Sequence, residues 1–190
     1  MEADQDHVDW KETVRRLRRD RLRLATLIRE TPRRGRASVW FSPSYTCVLL
    51  YRLSHYLYLK RHRLLARFLW HLNVGLTAAD ISPVSDLGSG LVVVSPAGVT
   101  IDGNAKTNLT VMPLSGLGGE VGSRVDVGAG IGLPVLGDDV YLAPHSGVLG
   151  PVRIGDRVRL APGVFVTRDL PDDTTVQPFS IRFFKRSHLR

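Results

Sequence analysis

The chain has 190 residues, of which 43% are hydrophobic and 23% are charged, a composition typical of a soluble globular protein. This length is enough for one domain, or for a main domain with an appendage. The net charge of +8 would suggest an anionic partner such as nucleic acid, but the charge is uneven. Residues 1–79 hold 16 basic and 7 acidic side chains, residues 80–170 hold 6 and 9, and residues 171–190 hold 4 and 2. We therefore expect three regions: a helical N-terminal region (1–79), a repeat domain (80–170) and a basic C-terminal tail (171–190).

The sequence pattern of residues 1–79 predicts three α-helices. Apolar residues recur at helical spacing over residues 7–30, with arginines on the other faces, so an amphipathic helix is expected there. Ser42-Pro43 is a favourable N-cap and first-turn pair that opens a second helix, which runs to about Lys60. A third helix is expected from about Arg63 to Ala78. The arginines of the first helix are interpreted as a solvated face.

A six-residue period begins at Asp80. From residue 136 onward an aliphatic side chain occupies every sixth position: Leu136, Leu142, Val148, Ile154, Leu160 and Val166. This period fits a coil with three flat sides, each a short strand and a turn, stacked into a prism. About 18 residues per coil predict five coils, with Asp139 stacked on Arg157 as a surface ion pair and Tyr141 on Arg159.

The period is interrupted twice. The spacing is ten between Val99 and Leu109 and three between Leu133 and Leu136. Both interruptions predict loops that leave the coil, one of them the glycine-rich stretch 116–132, and such loops often carry functional sites.

Several function classes are excluded or disfavoured by missing motifs. No dinucleotide-binding or P-loop glycine pattern is present, and His145 is the only histidine of residues 80–170, so a histidine-ligated metal site is not expected. Cys47 is the only cysteine, which excludes a disulfide framework and favours a reducing compartment. The acidic N-terminus is unlike a signal peptide, and no apolar stretch is long enough to span a bilayer; we expect a cytoplasmic protein.

The repeats and the helical segment before them resemble a known family. Tyr51-Arg52-Leu53-Ser54-His55, the stretch from Asp80-Ile81-Ser82-Pro83 to Gly90, Leu117-Gly118-Gly119 and residues 148–175 are similar to the left-handed β-helix acyltransferases, and most of all to serine O-acetyltransferases. The resemblance covers roughly residues 45–176. It implies a mainly β fold, a left-handed parallel β-helix behind a small α-helical domain, and transfer of an acetyl group from acetyl-CoA to a hydroxyl group.

The resemblance fails at the catalytic centre. The family has an Asp-His pair on an early coil and a second histidine between Arg and Pro, whereas this chain has Val94-Ser95 and Gly132-Leu133-Pro134. An acceptor other than serine is therefore expected. We hypothesise that His145 is a relocated general base and that Ser95 donates a hydrogen bond to the acceptor or the oxyanion. The alternative interpretations are that His145 is an exposed histidine in a turn and that Ser95 is a buried hydroxyl in a turn, neither with a role in catalysis.

The cofactor side of the resemblance is better preserved. The family places CoA along the last coils, where this chain has Ala143-Pro144 and, one coil later, Arg159 before Leu160-Ala161-Pro162. Arg157, Arg159 and Arg168 offer positive charge for the CoA phosphates. Arginines that simply decorate the surface of the coil are an equally good interpretation.

Three functions follow from these observations. The first is a CoA-dependent acyltransferase, without a metal, that uses acetyl-CoA or another acyl-CoA and a hydroxyl or amine of a small-molecule acceptor; the family implies a homotrimer or a dimer of trimers. The second is a catalytically inactive trimeric scaffold or regulator. The third, less favoured, is a protein that binds nucleic acid or another anionic surface through its arginine-rich first helix.

Overall fold

The computed structural model describes residues 9–29, 39 and 42–178. Three helices precede the repeats, as predicted: α1 (Trp10–Arg29), α2 (Pro43–Leu59) and α3 (Arg63–Thr77). The Ser42 hydroxyl accepts a hydrogen bond from the Tyr45 backbone N–H at 3.1 Å, and Pro43 occupies the first turn, so α2 begins at the predicted cap. The ends of the predicted first helix, residues 7, 8 and 30, lie outside the described residues.

Short parallel strands follow and stack into three sheets, which we call A, B and C. Sheet A contains β1 (Asp80–Ile81), β3 (Thr100–Ile101), β6 (Gly116–Gly118), β9 (Gly147–Leu149) and β12 (Phe165–Val166). Sheet B contains β4 (Asn104–Ala105), β7 (Val135–Leu136) and β10 (Arg153–Ile154). Sheet C contains β2 (Val92–Val93), β5 (Thr110–Val111), β8 (Tyr141–Leu142), β11 (Arg159–Leu160) and β13 (Thr175–Val176). The chain passes from sheet A to sheet C five times, which confirms five coils. The three middle coils carry a strand of sheet B between them, whereas the first and the last coil have only a single bridge there, at Leu87 and at Leu170.

The six-residue period places one aliphatic side chain per strand inside the prism. Leu136, Leu142 and Leu160 are buried in the core that runs the length of the coils. Leu142 pairs with Leu160 and Tyr141 with Arg159, so residues 18 apart stack between the third and fourth coils as expected. The fifth coil is two residues shorter, and Arg159 there pairs with Thr175, 16 residues on. The three edges of the prism are named by the sheets that meet there: A–B, B–C and C–A.

Glycine-aspartate steps build the B–C edge. The Asp156 carboxylate accepts a hydrogen bond from the Asp138 N–H, and the Asp172 carboxylate accepts one from the Asp156 N–H, each at 2.8 Å. These carboxylates lie directly over the glycines of the coil before. A Cβ on Gly155 would lie 2.5 Å from the Asp172 nitrogen, so only glycine fits beneath the carboxylate. The steps Gly137-Asp138, Gly155-Asp156 and Pro171-Asp172 thus form a hydrogen-bonded ladder along this edge.

The structure corrects the predicted interruptions. No loop leaves the coil between Val99 and Leu109. Instead, the turn from β2 to β3 is two residues longer than the later C–A turns. The turn from β3 to β4 is two residues shorter than the six-residue period requires. The two changes cancel and preserve the register. The glycine-rich loop is real, but it begins only after β6, at residue 119, and ends before β7. The fifth coil continues through β13, past the expected limit at residue 170, and residues 179–190 of the predicted tail lie outside the described residues.

The helices cover the first end of the prism through buried charges. Arg52 of α2 and Asp20 of α1 form an ion pair at 2.9 Å, and each side chain is only 1% exposed. Arg52 also donates to the backbone carbonyls of Leu87 and Gly88, and Asp20 accepts from the backbone N–H groups of Gly90 and Leu91. The first coil has no preceding coil to form hydrogen bonds with its backbone. Side chains of the helices, which form a cap on this end of the prism, make these hydrogen bonds instead.

Candidate functional site at the C–A edge

The C–A edge is a ridge of left-handed turn residues. Leu114 and His145 both have φ of +58° there, and Gly163 has +75°. Each corner is tied to the one before it by a backbone hydrogen bond: His145 N–H donates to Pro113 at 3.2 Å, and Gly163 N–H donates to Pro144 at 3.1 Å. A positive φ in a non-glycine residue is costly and needs support from its surroundings, which these bonds supply.

Five of the predicted site residues lie together on this ridge. Ala143, Pro144 and His145 form the turn after β8, and Ala161 and Pro162 form the turn after β11, one rung away. A Cβ on Gly163, the residue after Pro162, would meet no atom within 4 Å, so the ridge is open at this rung. Small side chains beside open space leave room for an extended chain to lie along the edge.

Arg159 lies beside this group on the outward side of β11. Its guanidinium stacks over the Tyr141 ring, 5.6 Å from the ring centroid. It has no ion pair with any described residue. A cation held against an aromatic face, without a carboxylate partner, remains available to an anionic group.

Arg157 is directed away from the C–A edge. It lies on the B–C edge with φ of +57°, and its guanidinium forms a bidentate ion pair with Asp173 at 2.6 and 2.9 Å. That hydrogen-bonded partner raises the pKa of the Arg157 guanidinium. The predicted Asp139–Arg157 pair is wrong, although both residues occupy this edge, because Asp139 instead accepts a hydrogen bond from the Asn108 side chain at 2.9 Å.

Ser95 and His145 share an edge but do not meet. Ser95 lies in the long turn after β2, which α2 holds through a hydrogen bond from the Ser44 hydroxyl to the Val94 carbonyl at 2.8 Å. His145 lies two rungs further along, about 10 Å away at the usual strand spacing. The exposed His145 imidazole makes no hydrogen bond to a described residue. Within one chain, the two predicted catalytic residues therefore cannot contact the same reacting atom.

The glycine-rich loop forms a second cleft on the A–B edge, which the sequence did not indicate. The cleft has a volume of about 280 Å³ and is lined by Glu120 from the loop and by Leu149, Pro151 and Thr167 from the next coils. A hydrogen bond from Glu120 N–H to Gly132 at 3.0 Å closes the base of the loop. Leu133, at a position where the resemblance would have a histidine, lies in the segment that leads from this loop into β7, not on the C–A edge.

The first helix is less available to an anionic surface than its composition suggests. Arg16 donates to the Asp86 carboxylate at 2.7 Å, and Arg23 donates to the Gly90 carbonyl at 2.6 Å and to the Thr110 hydroxyl at 2.7 Å. Both side chains reach the first coils. The interpretation of this helix as a uniformly solvated basic face is wrong at these two positions. A helical wheel reveals which face is apolar, but not that an arginine reaches a carbonyl about 70 residues away.

The described residues contain no group of three side chains that could hold a metal ion. None of the described helices is long and apolar enough to cross a membrane.

Comparisons with known proteins agree with this architecture. The family model for the bacterial transferase hexapeptide (six repeats) matches residues 134–168. A serine acetyltransferase of Helicobacter pylori strain J99 is 32% identical over 138 residues, which cover 70% of this chain and 76% of the relative. A serine acetyltransferase of Synechococcus elongatus is 31% identical over 153 residues, which cover 78% of this chain. The match spans only 59% of that cyanobacterial relative.

Solved structures give the same fold. A Neisseria gonorrhoeae serine acetyltransferase superposes with a TM-score of 0.78 at 22% identity, covering 92% of this chain and 68% of that one. The soybean serine acetyltransferase apoenzyme superposes with a TM-score of 0.73 at 23% identity, covering 85% of this chain and 66% of that one. The predicted left-handed parallel β-helix behind a small helical region is confirmed.

Proposed function

The chain belongs to the serine acetyltransferase family of hexapeptide-repeat transferases, and from this premise we propose that it is a CoA-dependent acyltransferase with an altered catalytic centre. The observation that carries the proposal is the C–A edge at the turns after β8 and β11. There the positions that the family resemblance assigns to CoA form one open ridge, with Arg159 unpaired beside it.

The residues of the ridge fit a pantetheine chain and its phosphates. Ala161 has no side-chain atom beyond Cβ, so a chain can approach the backbone of its turn closely. Ala143 is buried, with 4% of its surface exposed, and supports the neighbouring turn from inside. Arg159 offers a guanidinium for a phosphate group. Arg157 is a weaker candidate because Asp173 already occupies its guanidinium. Bound along this ridge, an acyl-CoA would supply the activated thioester carbonyl, with the CoA thiol as the leaving group.

We assign His145 the role of general base. Its imidazole removes the proton from the hydroxyl or amine of the acceptor while that oxygen or nitrogen forms its bond to the acyl carbon, and the same proton then neutralises the departing thiolate. No described residue orients the imidazole, so the acceptor itself would have to do so. Ser95 is two rungs away and could assist only with an elongated acceptor or one that spans two subunits.

The acceptor is proposed to be a small molecule other than serine. Val94-Ser95 and Gly132-Leu133-Pro134 replace the residues with which the family acts on serine, and none of them carries a charged side chain. An acceptor without the charged ammonium and carboxylate groups of an amino acid suits these positions better. The acyl group is acetyl or longer.

Calorimetric titration tests the cofactor side of the proposal. Acetyl-CoA and longer acyl-CoAs should bind saturably, and Arg159→Ala should weaken binding by about tenfold, the usual effect of losing a charge-assisted hydrogen bond. Arg153→Ala is the matched control, since Arg153 is an exposed arginine on sheet B. Equal loss in the two variants would contradict the placement of CoA on the C–A edge.

Thiol release with a panel of hydroxyl and amine acceptors tests the catalytic side. His145→Gln should lower turnover by about a hundredfold or more while acyl-CoA still binds, because general-base catalysis contributes that much. His62→Gln is the control, an exposed histidine at the start of α3. Full turnover of His145→Gln would remove His145 from the mechanism.

A catalytically inactive trimeric scaffold is the second candidate function. The observation that favours it is that no described residue makes a hydrogen bond to the His145 imidazole. A scaffold predicts that no acyl-CoA binds at all. Binding without turnover on any acceptor would indicate a regulator that retains the cofactor site. The third candidate, an anionic-surface protein, predicts binding that weakens steeply with salt, and it must use arginines of α1 other than Arg16 and Arg23.

We further propose a homotrimer or a dimer of trimers and a cytoplasmic location. The loop after β6 carries apolar side chains that project into solvent in the single chain, among them Val121 and Ile131. In the proposed trimer we expect a neighbouring subunit to cover these side chains. Burial raises the pKa of the Cys47 thiol to about 12, so this cysteine behaves as an inert core residue that a reducing compartment suits.

A further inference from the structure

A cleft lies where α2, α3 and the first coil meet, far from the C–A ridge of the later turns. Its volume is about 420 Å³, within the range of small-molecule sites. Tyr58 of α2 forms one wall, α3 contributes Arg63, Leu64, Arg67 and Trp70, and Val84 of the first coil closes the opposite side.

Two arginines give the cleft its charge. Arg63 and Arg67 are one helical turn apart, and like charges at this spacing repel each other. Neither has an ion pair with a described residue, and no aspartate or glutamate lines the cleft. The nearby Asp80 accepts a hydrogen bond from the Trp70 indole N–H at 2.8 Å. Two adjacent cations without a counter-charge favour an anion that would bridge them.

The rest of the lining is apolar. Leu64 is 84% exposed and Val84 is 50% exposed, although both side chains face the cleft. The rings of Tyr58 and Trp70 extend this surface. Exposed apolar side chains that border a concave surface gain free energy when an apolar group covers them. A bare inorganic anion would leave them in contact with water.

We propose that this cleft binds an amphipathic anion, with a single carboxylate or phosphate head group between Arg63 and Arg67 and an apolar chain or ring against Leu64, Trp70 and Val84. The site is independent of the acyltransferase proposal, since it lies on the helical cap and the first coil and not on the C–A ridge.

Four octyl compounds with one chain length test the proposal on the full-length protein: octanoate, octyl phosphate, octanol and octylamine. Calorimetry and tryptophan fluorescence should show saturable binding of the two anions, with at least about tenfold weaker binding of octanol and none of octylamine. Comparison of octanoate with octyl phosphate separates a carboxylate ligand from a phosphate ligand. Trp70→Phe should abolish the fluorescence change but not the heat of binding.

Two sets of variants locate the site. Arg63→Gln/Arg67→Gln should weaken anion binding by about tenfold or more, whereas Arg124→Gln/Arg153→Gln, which removes two exposed arginines of the repeat domain, should leave it unchanged. Leu64→Ser should weaken binding of octanoate and octanol alike, and its exposure makes it safe for folding. The proposal is overturned if octanol binds as well as octanoate, if both arginine double variants behave alike, or if no anion binds saturably.

Discussion

At the scale of single residues, the Asp20–Arg52 pair is a fully buried charged contact between the helices and the first coil. Both side chains are buried, and their remaining hydrogen bonds go to backbone groups of the first coil. Asp20→Ala leaves the Arg52 charge buried without its partner, which typically costs about 3–5 kcal/mol of unfolding free energy. Urea denaturation measures this cost. Glu12→Ala removes an ion-pair partner of the exposed Arg15 and of Arg16, but Arg16 keeps its ion pair with Asp86, so this variant should cost less than about 1 kcal/mol. Similar losses of unfolding free energy in the two variants would contradict the structural role of the Asp20–Arg52 pair.

His55 gives the protein a dependence of stability on pH. Burial is the main cause that lowers the pKa of this imidazole in the folded state; the Pro83 carbonyl and Asp86 act the other way, and Arg52 and Arg16 lower the pKa further. The imidazole is held neutral, with Nδ1–H donating to Pro83 at 2.9 Å and Nε2 without a hydrogen-bond partner among the described residues.

The unfolded chain binds a proton on His55 more readily than the folded chain does. The contribution of His55 to the free energy of unfolding is therefore fully present above the ordinary histidine pKa of about 6.5, and it is lost as the pH falls through the lower pKa of the folded state. Unfolding free energy should therefore be lower at pH 5.5 than at pH 7.5. The difference should shrink in His55→Gln and persist in His71→Gln, an exposed histidine of α3. An unchanged difference in His55→Gln would assign the effect to other groups.

At the scale of elements, glycine has opposite roles in the coil and in the helix. Gly155→Ala places a methyl group against the Asp172 backbone and should destabilise the fold by about 1–3 kcal/mol, as overpacking does. Gly75→Ala in α3 meets no atom within 4 Å and should stabilise it by about 0.5–1 kcal/mol, because alanine favours the helix. Thermal unfolding of both variants checks the signs. A neutral Gly155→Ala would contradict the ladder on the B–C edge.

The elements were largely predictable because their periods are local. Five coils, three helices and the grouping of Ala143, Pro144, His145, Ala161 and Pro162 on one edge all follow from six-residue and helical spacing. The period could not reveal that two residues added after β2 are offset by two removed between β3 and β4, since only the total spacing is visible in the sequence. It also missed the pairing of Arg157 with Asp173, because the fifth coil is two residues shorter than the period of 18 and so stacks Asp173 on Arg157.

At the scale of the whole molecule, α3 exposes most of its large apolar side chains to solvent in the single chain. It buries Ala66, Asn73 and Thr77 against the rest of the fold, while Leu65, Phe68, Leu72 and Leu76 form an exposed stripe on another face. We expect this stripe to lie between subunits, so Phe68→Asp should lower the mass measured by light scattering to that of a smaller assembly. Leu22→Asp, at an exposed position of α1, is the control and should leave the mass unchanged. An unchanged mass of Phe68→Asp would show that the stripe does not lie between subunits.

The cap at the first end of the prism has a consequence for synthesis. A ribosome delivers α1, α2 and α3 before any strand, so the carboxylate of Asp20 and the guanidinium of Arg52 are in place when the first coil emerges. Each later coil then finds a completed edge on which to pair. If each coil pairs as it emerges, we expect the growing chain to expose a single unpaired rung at a time, which would limit the template available for aggregation during translation.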